Sequence, residues 1–102
     1  MALLRAGALP ADALAASAQF HAVMLPRVVA ELERGESVVL VFAPADHTHR
    51  GWRLAAVQGL ARRYAPVRVN AVAGDDEAAI AAAARYLASA KGVTGQLLPL
   101  AG

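Results

Sequence analysis

The run Val38-Val39-Leu40-Val41-Phe42 is the feature that most constrains the fold of this chain. A strand with one face in water alternates apolar and polar residues, whereas this run is apolar at every position. Continuous apolar strands are typical of parallel sheets, because helices cover both faces of such sheets. We therefore expect an α/β domain in which helices cross over between parallel strands.

The segment before this run has helical periodicity. We predict a helix over residues 11–34, with Pro10 in its first turn and Gly35 as its stop signal. Pro26 lies inside the pattern and is expected to bend the helix without ending it. One apolar stripe is predicted to face the core, formed by Leu14, Ala18, Ala22, Leu25, Val29 and Leu32.

The remaining elements follow from turn residues and apolar periodicity. Asp75 is predicted to cap the last helix, and Gly92 is predicted to end it. The sheet-facing stripe of the helix before it is predicted to consist of Leu54, Val57, Ala61 and Tyr64. The further predicted elements are a short strand within residues 2–7, a helix over 51–64, a strand beginning near Val67 and a last strand over 96–100. The order β-α-β-α-β-α-β predicts a four-stranded parallel sheet in one domain, residues 1–102.

The composition excludes several classes of protein. The 102 residues are 58% hydrophobic, which is far above the range of disordered chains, and they contain no cysteine, so disulfides and thiolate metal sites are excluded. We expect a cytoplasmic protein without a signal peptide and without a membrane partner, because no uninterrupted apolar run reaches the length of a bilayer span.

The charge pattern argues against a nucleic-acid partner. The formal net charge is only +2. Four arginines of one predicted helix are interleaved with apolar residues, and three nearby glutamates offset them. These residues are Arg50, Arg53, Arg62, Arg63, Glu31, Glu33 and Glu36. A solvated or interfacial helix face explains this distribution better than a nucleic-acid surface does.

Two blocks near the end of the chain carry a family resemblance. Residues 68–74 read RVNAVAG, and residues 85–96 begin with RYLAS and end with VTGQ. In this order they resemble the C-terminal half of short-chain dehydrogenases/reductases, where a strand ends in RVNAVAPG and a later helix leads into VTGQ. Residues 54–60 also resemble the family's KAALxGL helix. The resemblance implies a partial Rossmann-like three-layer fold whose last helix lies on the face opposite to the other helices.

The chain departs from the family where the family's chemistry lies. Arg50 occupies the position of the family's catalytic Tyr, and Leu54 occupies the position of its catalytic Lys. Ala43-Pro44-Ala45 occupies the strand end that carries the family's catalytic Ser. Leucine cannot move a proton, and a guanidinium hardly gives one up. The Gly-rich phosphate-binding turn also has no counterpart. We therefore predict a truncated, non-catalytic member with no catalytic residue, no cofactor and no metal.

The loop Pro44–Arg50 offers an alternative. Asp46, His47 and His49 could ligate a metal or, with Arg50, form the site of a small enzyme or a ligand binder at the sheet edge. A solvated loop is the default interpretation. An enzyme or ligand binder requires that the polar groups of this loop converge on a pocket, whereas an assembly module does not.

The helix over 51–64 also shows a second stripe of one large aromatic residue beside smaller ones: Trp52, Ala56, Gly59 and Arg63. We predict that this stripe, together with the long N-terminal helix, forms a contact between subunits. The first two strands are expected to lack cover on one face. The predicted partners are a second copy, in a homodimer or higher oligomer, or a full-length dehydrogenase in a heteromeric oxidoreductase.

Overall fold

The structure is a computed structural model that describes residues 1–100, so that the last two positions of the predicted domain, 101 and 102, lie outside it. The strands are β1 (Ala2–Arg5), β2 (Val38–Phe42), β3 (Val69–Ala73) and β4 (Leu97–Pro99). The helices are α1 (Ala13–Gln19), a π-helical turn (Phe20–Met24), α2 (Leu25–Glu33), a 3₁₀ turn (His47–His49), α3 (Arg50–Tyr64) and α4 (Glu77–Ser89).

The four strands form one parallel sheet in the order β1-β2-β3-β4. Leu3 pairs with Val39, and Val39 pairs with Asn70, so these three residues lie side by side across the first three strands. All five residues of β2 are buried. The predicted four-stranded parallel sheet is confirmed, and the continuous apolar run is its central, doubly covered strand.

The helices lie on both faces of the sheet. Phe20 of the π-helical turn, Val28 of α2 and Val57 of α3 pack with Leu40 on one face. Ile80 and Leu87 of α4 pack on the other face against Val39, Val41 and Val72. The strands lie in the sheet in their chain order, so two successive β-α-β connections whose helices lie on opposite faces have opposite handedness. At least one of the connections is therefore left-handed, which is rare. The placement of α4 that the resemblance implies is confirmed.

The cover of the sheet differs from the prediction at β2. Val39 and Val41 are 1% and 5% exposed, because α4 returns over β2 as well as β3. Only β1 stays open on that face, where Leu3 is 40% exposed and Arg5 is exposed. Arg5 forms a bidentate ion pair with Glu77 at the start of α4, at 2.7 and 3.0 Å. The prediction that both first strands lose cover is therefore wrong for β2.

The long N-terminal helix (Ala13–Glu33, comprising α1, the π-helical turn and α2) packs with a different stripe from the one predicted. Its fully buried residues are Ala16, Phe20, Met24, Val28 and Leu32. Of the predicted stripe only Leu32 is fully buried, and Leu14 is 81% exposed. The π-helical turn accommodates Pro26, which lacks an N–H, and it keeps the buried residues in phase at four-residue intervals.

This long helix has 21 residues, and the mean hydropathy of its most apolar 18-residue window is 1.2, so it matches a membrane span by length and composition alone. The expectation of no membrane partner rested on uninterrupted apolar runs, which polar and charged residues interrupt in this helix, and it stays a prediction. The helix buries one stripe of residues against the sheet, as a core helix of a globular domain does. Only 22% of the residues in the helix's most apolar window are buried, however, and Leu14 and Val23 are among its exposed apolar residues.

Several predicted helix ends shift by one to three residues. Pro10 lies before α1, which begins after Asp12, whose carboxylate accepts a hydrogen bond from the backbone N–H of Ala15 at 2.9 Å. The residue before α4 is Asp76, where Asp75 was predicted, and its side chain makes no capping bond. Gly92 lies in the turn beyond Ser89, where α4 ends.

Two polar side chains in the RVNAVAG segment join β3 to the chain that follows α4. Arg68 donates through Nη1 to the carbonyls of Leu87 and Ala90 at 2.8 and 2.9 Å, which satisfies two carbonyls at the end of α4. Asn70 is 2% exposed; its amide donates to the Val93 carbonyl, and its oxygen accepts from the Gln96 N–H, both at 3.0 Å. These bonds explain why the arginine and asparagine occur at these positions.

Candidate functional site

The polar loop after β2 lies at the carboxyl edge of the sheet, where open α/β folds usually bind ligands. Asp46 begins the 3₁₀ turn, and its carboxylate accepts from the Thr48 N–H at 2.9 Å and from the Thr48 hydroxyl. These bonds, the hydroxyl first, lower the pKa of Asp46 below its usual value. Asp46 is therefore a fixed negative charge that caps the turn leading into α3.

His49 is a buried structural histidine. It is 4% exposed; Nε2 lies 2.9 Å from the Ala11 carbonyl, and Nδ1 lies 3.2 Å from Trp52 Nε1. Because a carbonyl only accepts and an indole N–H only donates, His49 is the neutral tautomer that carries its proton on Nε2. Both ring nitrogens are thus committed, and His49 ties the start of α3 to the segment before α1.

Arg53 is a buried cation that the sequence analysis had not placed in the core. It is 6% exposed and occupies the sheet-facing side of α3, with its guanidinium carbon 4.5 Å from the centroid of the Phe42 ring. Nη1 donates to the Ala43 carbonyl at 3.0 Å, while Nε is buried without a partner. Desolvation lowers the pKa of Arg53, yet a guanidinium stays charged at neutral pH.

No carboxylate compensates this buried charge within the described part of the chain. The ion pairs there join Glu36 to the amino terminus, Arg5 to Glu77 and Arg34 to Glu31. A buried charge without a partner costs free energy, so its retention requires a reason beyond packing. The stacking on Phe42 lowers that cost only in part.

Two cavities flank Arg53. The first, here the β1-side cavity, has a volume of about 240 Å³ and lies between Gly7, Leu9 and Pro44. The second, here the β4-side cavity, has a volume of about 280 Å³ and is lined on one side by Ala73, Leu97 and Pro99. The two cavities share Ala45, Asp46, His49 and Arg53, and the β4-side cavity also takes in His47 and Arg50. The polar groups of the loop therefore converge on a pocket.

The residues at the family's catalytic positions lie around this pocket. Arg50 is exposed at the first turn of α3 and lines the β4-side cavity. Leu54 is half-buried on α3, and Ala43-Pro44-Ala45 lines the β1-side cavity. None of these side chains has a group that transfers a proton at neutral pH.

The residues of the predicted subunit contact divide into two pairs. Trp52 packs inside the chain, with its ring centroid 5.4 Å from that of Phe20 and 5.6 Å from that of Phe42, and Ala56 packs against the same core. Gly59 borders open space, since a Cβ built there would meet no atom within 4 Å. Arg63 is exposed. The outward end of the stripe is thus Gly59 and Arg63.

At the carboxyl edge of the sheet, aspartates directly precede the helical segments that begin there. Asp12 precedes α1, Asp46 precedes the 3₁₀ turn, and Asp76 precedes α4. A helix start attracts phosphate through its free N–H groups and its dipole, and acids at those positions oppose a second anion. Among residues 1–100, no group of three or more His, Asp or Glu side chains has the arrangement of a metal site.

Sequence reasoning missed Arg53 because it chose Leu54 as the first member of the sheet-facing stripe. The buried residues of α3 are Arg53, Val57, Leu60 and Ala61. The four-residue step from Val57 back to Arg53 was the available signal. An arginine at a buried position of a helix is rare enough to count as evidence of function.

Comparison with known proteins identifies the family. No curated protein and no solved structure gave a match. Residues 4–100 match the family model described as SDR-like, short chain dehydrogenase-like protein. This match spans nearly the whole chain and agrees with the parallel sheet, the RVNAVAG strand and the reversed face of α4. The chain belongs to the short-chain dehydrogenase-like family.

Proposed function

We propose that this chain is a non-catalytic assembly module of the family, a cytoplasmic protein that self-associates or joins a full-length relative. The observation that carries the proposal is the outer side of the long N-terminal helix. Five exposed apolar residues follow one another there at four-residue intervals: Leu14, Ala18, Ala22, Pro26 and Ala30.

This exposed stripe runs along the side opposite to the buried one. Residues of the two sets are offset by two positions, which corresponds to about 200° around a helix. Ala and Pro side chains are small and allow a second helix to approach closely. Leu14 and Val23, 81% and 58% exposed, lie on and beside the stripe, and each contributes roughly 1.5–3 kcal/mol when fully buried. Surfaces of this kind mark interaction sites.

The non-catalytic part of the proposal rests on the residues at the sheet edge. The family's reaction needs a positioned proton donor beside the substrate oxygen. Arg50, Leu54 and Ala43 occupy the positions that supply it, and the buried His49 has both ring nitrogens in structural hydrogen bonds. A residue that could replace the missing donor is therefore lacking at these positions.

The test is the mass of the protein in solution. Light scattering is expected to report a multiple of 10.5 kDa at micromolar concentration. Ala22→Glu places a charge in the middle of the exposed stripe and is expected to yield monomers or to lower the assembly constant by at least about tenfold. Ala82→Glu makes the same change at an exposed position of α4 and is the matched control.

A folded 10.5 kDa species of the unmodified chain would rule out self-association. Joining a relative would then be tested by co-expression with an intact dehydrogenase of the same cell and by the mass of the purified complex. If Ala82→Glu disrupts the assembly and Ala22→Glu does not, the interface lies on α4.

A small-ligand binder is the second candidate function. The observation that favours it is the convergence of Asp46, His47, His49 and Arg50 on the β4-side cavity. The two functions are compatible, because the exposed stripe of the long helix and this cavity involve different residues.

A further inference from the structure

We propose that the β4-side cavity binds a small organic carboxylate, whose two oxygens accept hydrogen bonds from the Nε/Nη2 edge of Arg53. This inference goes beyond assembly, and it gives the second candidate function a class of ligand. Assembly and carboxylate binding stand or fall separately, because different residues carry them.

The free edge of the guanidinium determines the class of ligand. Nη1 is taken up by the Ala43 carbonyl, which leaves the edge formed by Nε and Nη2. Its two parallel N–H groups match the two oxygens of a carboxylate, and this bidentate pair is the strong form of arginine recognition. Nε is buried and has no acceptor among the described residues. A carboxylate would compensate the charge, and it would also give the buried Nε–H an acceptor once the guanidinium shifts toward the cavity.

The surroundings favour the β4-side cavity over the β1-side cavity. Arg50 and Arg53 both line the β4-side cavity and face one fixed negative charge, Asp46. In the β1-side cavity Arg53 is the single guanidinium opposite the same carboxylate. The β4-side cavity therefore has an excess of positive charge, with Arg50 at the start of α3 as a second cation.

The opposite wall of the β4-side cavity favours an organic anion over an inorganic one. Ala73, Leu97 and Pro99 present apolar surface at the ends of β3 and β4. A volume of about 280 Å³ accommodates a carboxylate with a short aliphatic chain, whereas phosphate would leave the apolar wall uncovered. The expected ligand thus has a carboxylate at one end and several carbons at the other.

The experiment is a titration of the whole chain with acetate, butyrate, succinate and inorganic phosphate, observed by calorimetry and by the ¹⁵N-resolved Nε–H signal of Arg53. Butyrate or succinate is expected to bind in the millimolar range or tighter and to move that signal. Arg53→Met keeps most of the side-chain volume and is expected to weaken binding at least about tenfold, because it removes a charge-assisted pair. Arg62→Met, at an exposed position of the same helix, is the matched control.

A second variant tests the electrostatic part. Asp46→Asn keeps an effective capping residue and removes the negative charge that opposes the ligand, so carboxylates are expected to bind several-fold more tightly. If Arg53→Met does not fold, the Arg53 signal in the unmodified protein still decides the question. Failure of every carboxylate to saturate below about 100 mM, or a signal that stays in place, would overturn the proposal. Tighter binding of phosphate than of butyrate would overturn the assignment to carboxylates.

Discussion

Trp52 donates its indole N–H to Nδ1 of His49 at 3.2 Å, and this bond fixes which nitrogen of the imidazole carries the proton. The same imidazole reaches Ala11 through Nε2. One side chain therefore connects the first turn of α3 with the segment that leads into α1. The pair stabilises the loop in which the family places its chemistry.

Replacement of His49 is expected to destabilise the fold. His49→Phe keeps a ring of similar size but leaves the Trp52 N–H and the Ala11 carbonyl without partners, so the free energy of unfolding should fall by about 2–3 kcal/mol. Urea denaturation followed by tryptophan fluorescence measures the loss. His47→Phe, at an exposed position two residues away, is the control and should change stability by less than about 0.5 kcal/mol. Equal effects of the two variants would refute a structural role for His49.

Asn70→Asp should create a pH-dependent weakness between β3 and β4. The introduced carboxyl retains the bond from the Gln96 N–H, but as a carboxylate it faces the Val93 carbonyl without a proton to donate. Burial raises the pKa of such an acid above about 3.9, its value in the unfolded chain. The penalty is therefore absent below that pH, grows as the pH rises through the folded-state pKa, and reaches about 2–4 kcal/mol at pH 7.

Thermal unfolding of the Asn70→Asp variant between pH 3.5 and pH 8 measures this dependence. Gln96→Glu makes the same amide-to-acid change at an exposed position and should follow the unmodified protein. A destabilisation of Asn70→Asp that does not vary with pH would contradict the expected unpaired carboxylate.

The 102-residue chain should not bind nicotinamide dinucleotides. The pyrophosphate of these cofactors needs a glycine-rich turn at a helix start, and the helix starts at this sheet edge are preceded by Asp12, Asp46 and Asp76. Calorimetric titration with the oxidised and reduced forms of both cofactors tests this expectation. A dissociation constant in the micromolar range would refute the non-catalytic proposal.

The loop with His47 and His49 should hold no structural metal. Both nitrogens of His49 are engaged, and a metal would have to displace Trp52 or Ala11 to reach one of them. Elemental analysis of protein purified without an affinity tag should show no stoichiometric zinc or nickel. Near-stoichiometric metal that is lost in the His47→Ala/His49→Ala double variant would favour the enzyme hypothesis.

Gly59→Glu tests whether α3 contributes to the subunit contact. The glycine borders open space within the chain, so the variant should fold normally. If Gly59 is buried between subunits, the charge should weaken assembly by roughly 2 kcal/mol or more. Gln58→Glu, at the neighbouring exposed position, is the control in the same light-scattering measurement. An assembly indifferent to Gly59→Glu would place the contact away from Gly59, on the open sheet face, the Gln96–Leu100 edge or the outer stripe of the long helix.

The sequence predicted the sheet well because its signal is local. Val38–Phe42 is apolar at every position, so these five residues alone indicate a strand that is covered on both faces. The face on which α4 packs came from the family resemblance. The general handedness rule would have placed it with the other helices.

The phase of the long helix could not be read reliably from the sequence. Leu14 and Ala16 each begin an apolar series at four-residue intervals, and hydropathy does not decide which series faces the sheet. The large buried side chain of Phe20 decides it, through its contact with Phe42 at 5.5 Å between ring centroids. The same limitation concealed Arg53, since a charged residue is expected to face solvent unless a tertiary contact shows otherwise.

The position of α4 also affects how the protein is made. Val39, Val41 and Val72 form a valine face that is covered by a helix encoded after all three. Synthesis proceeds from the N-terminus, so all three strands are made before α4, and they can pair before α4 docks on them. During that interval the nascent chain exposes a flat, β-branched surface. Chaperones or a second nascent chain would encounter this surface before α4 covers it.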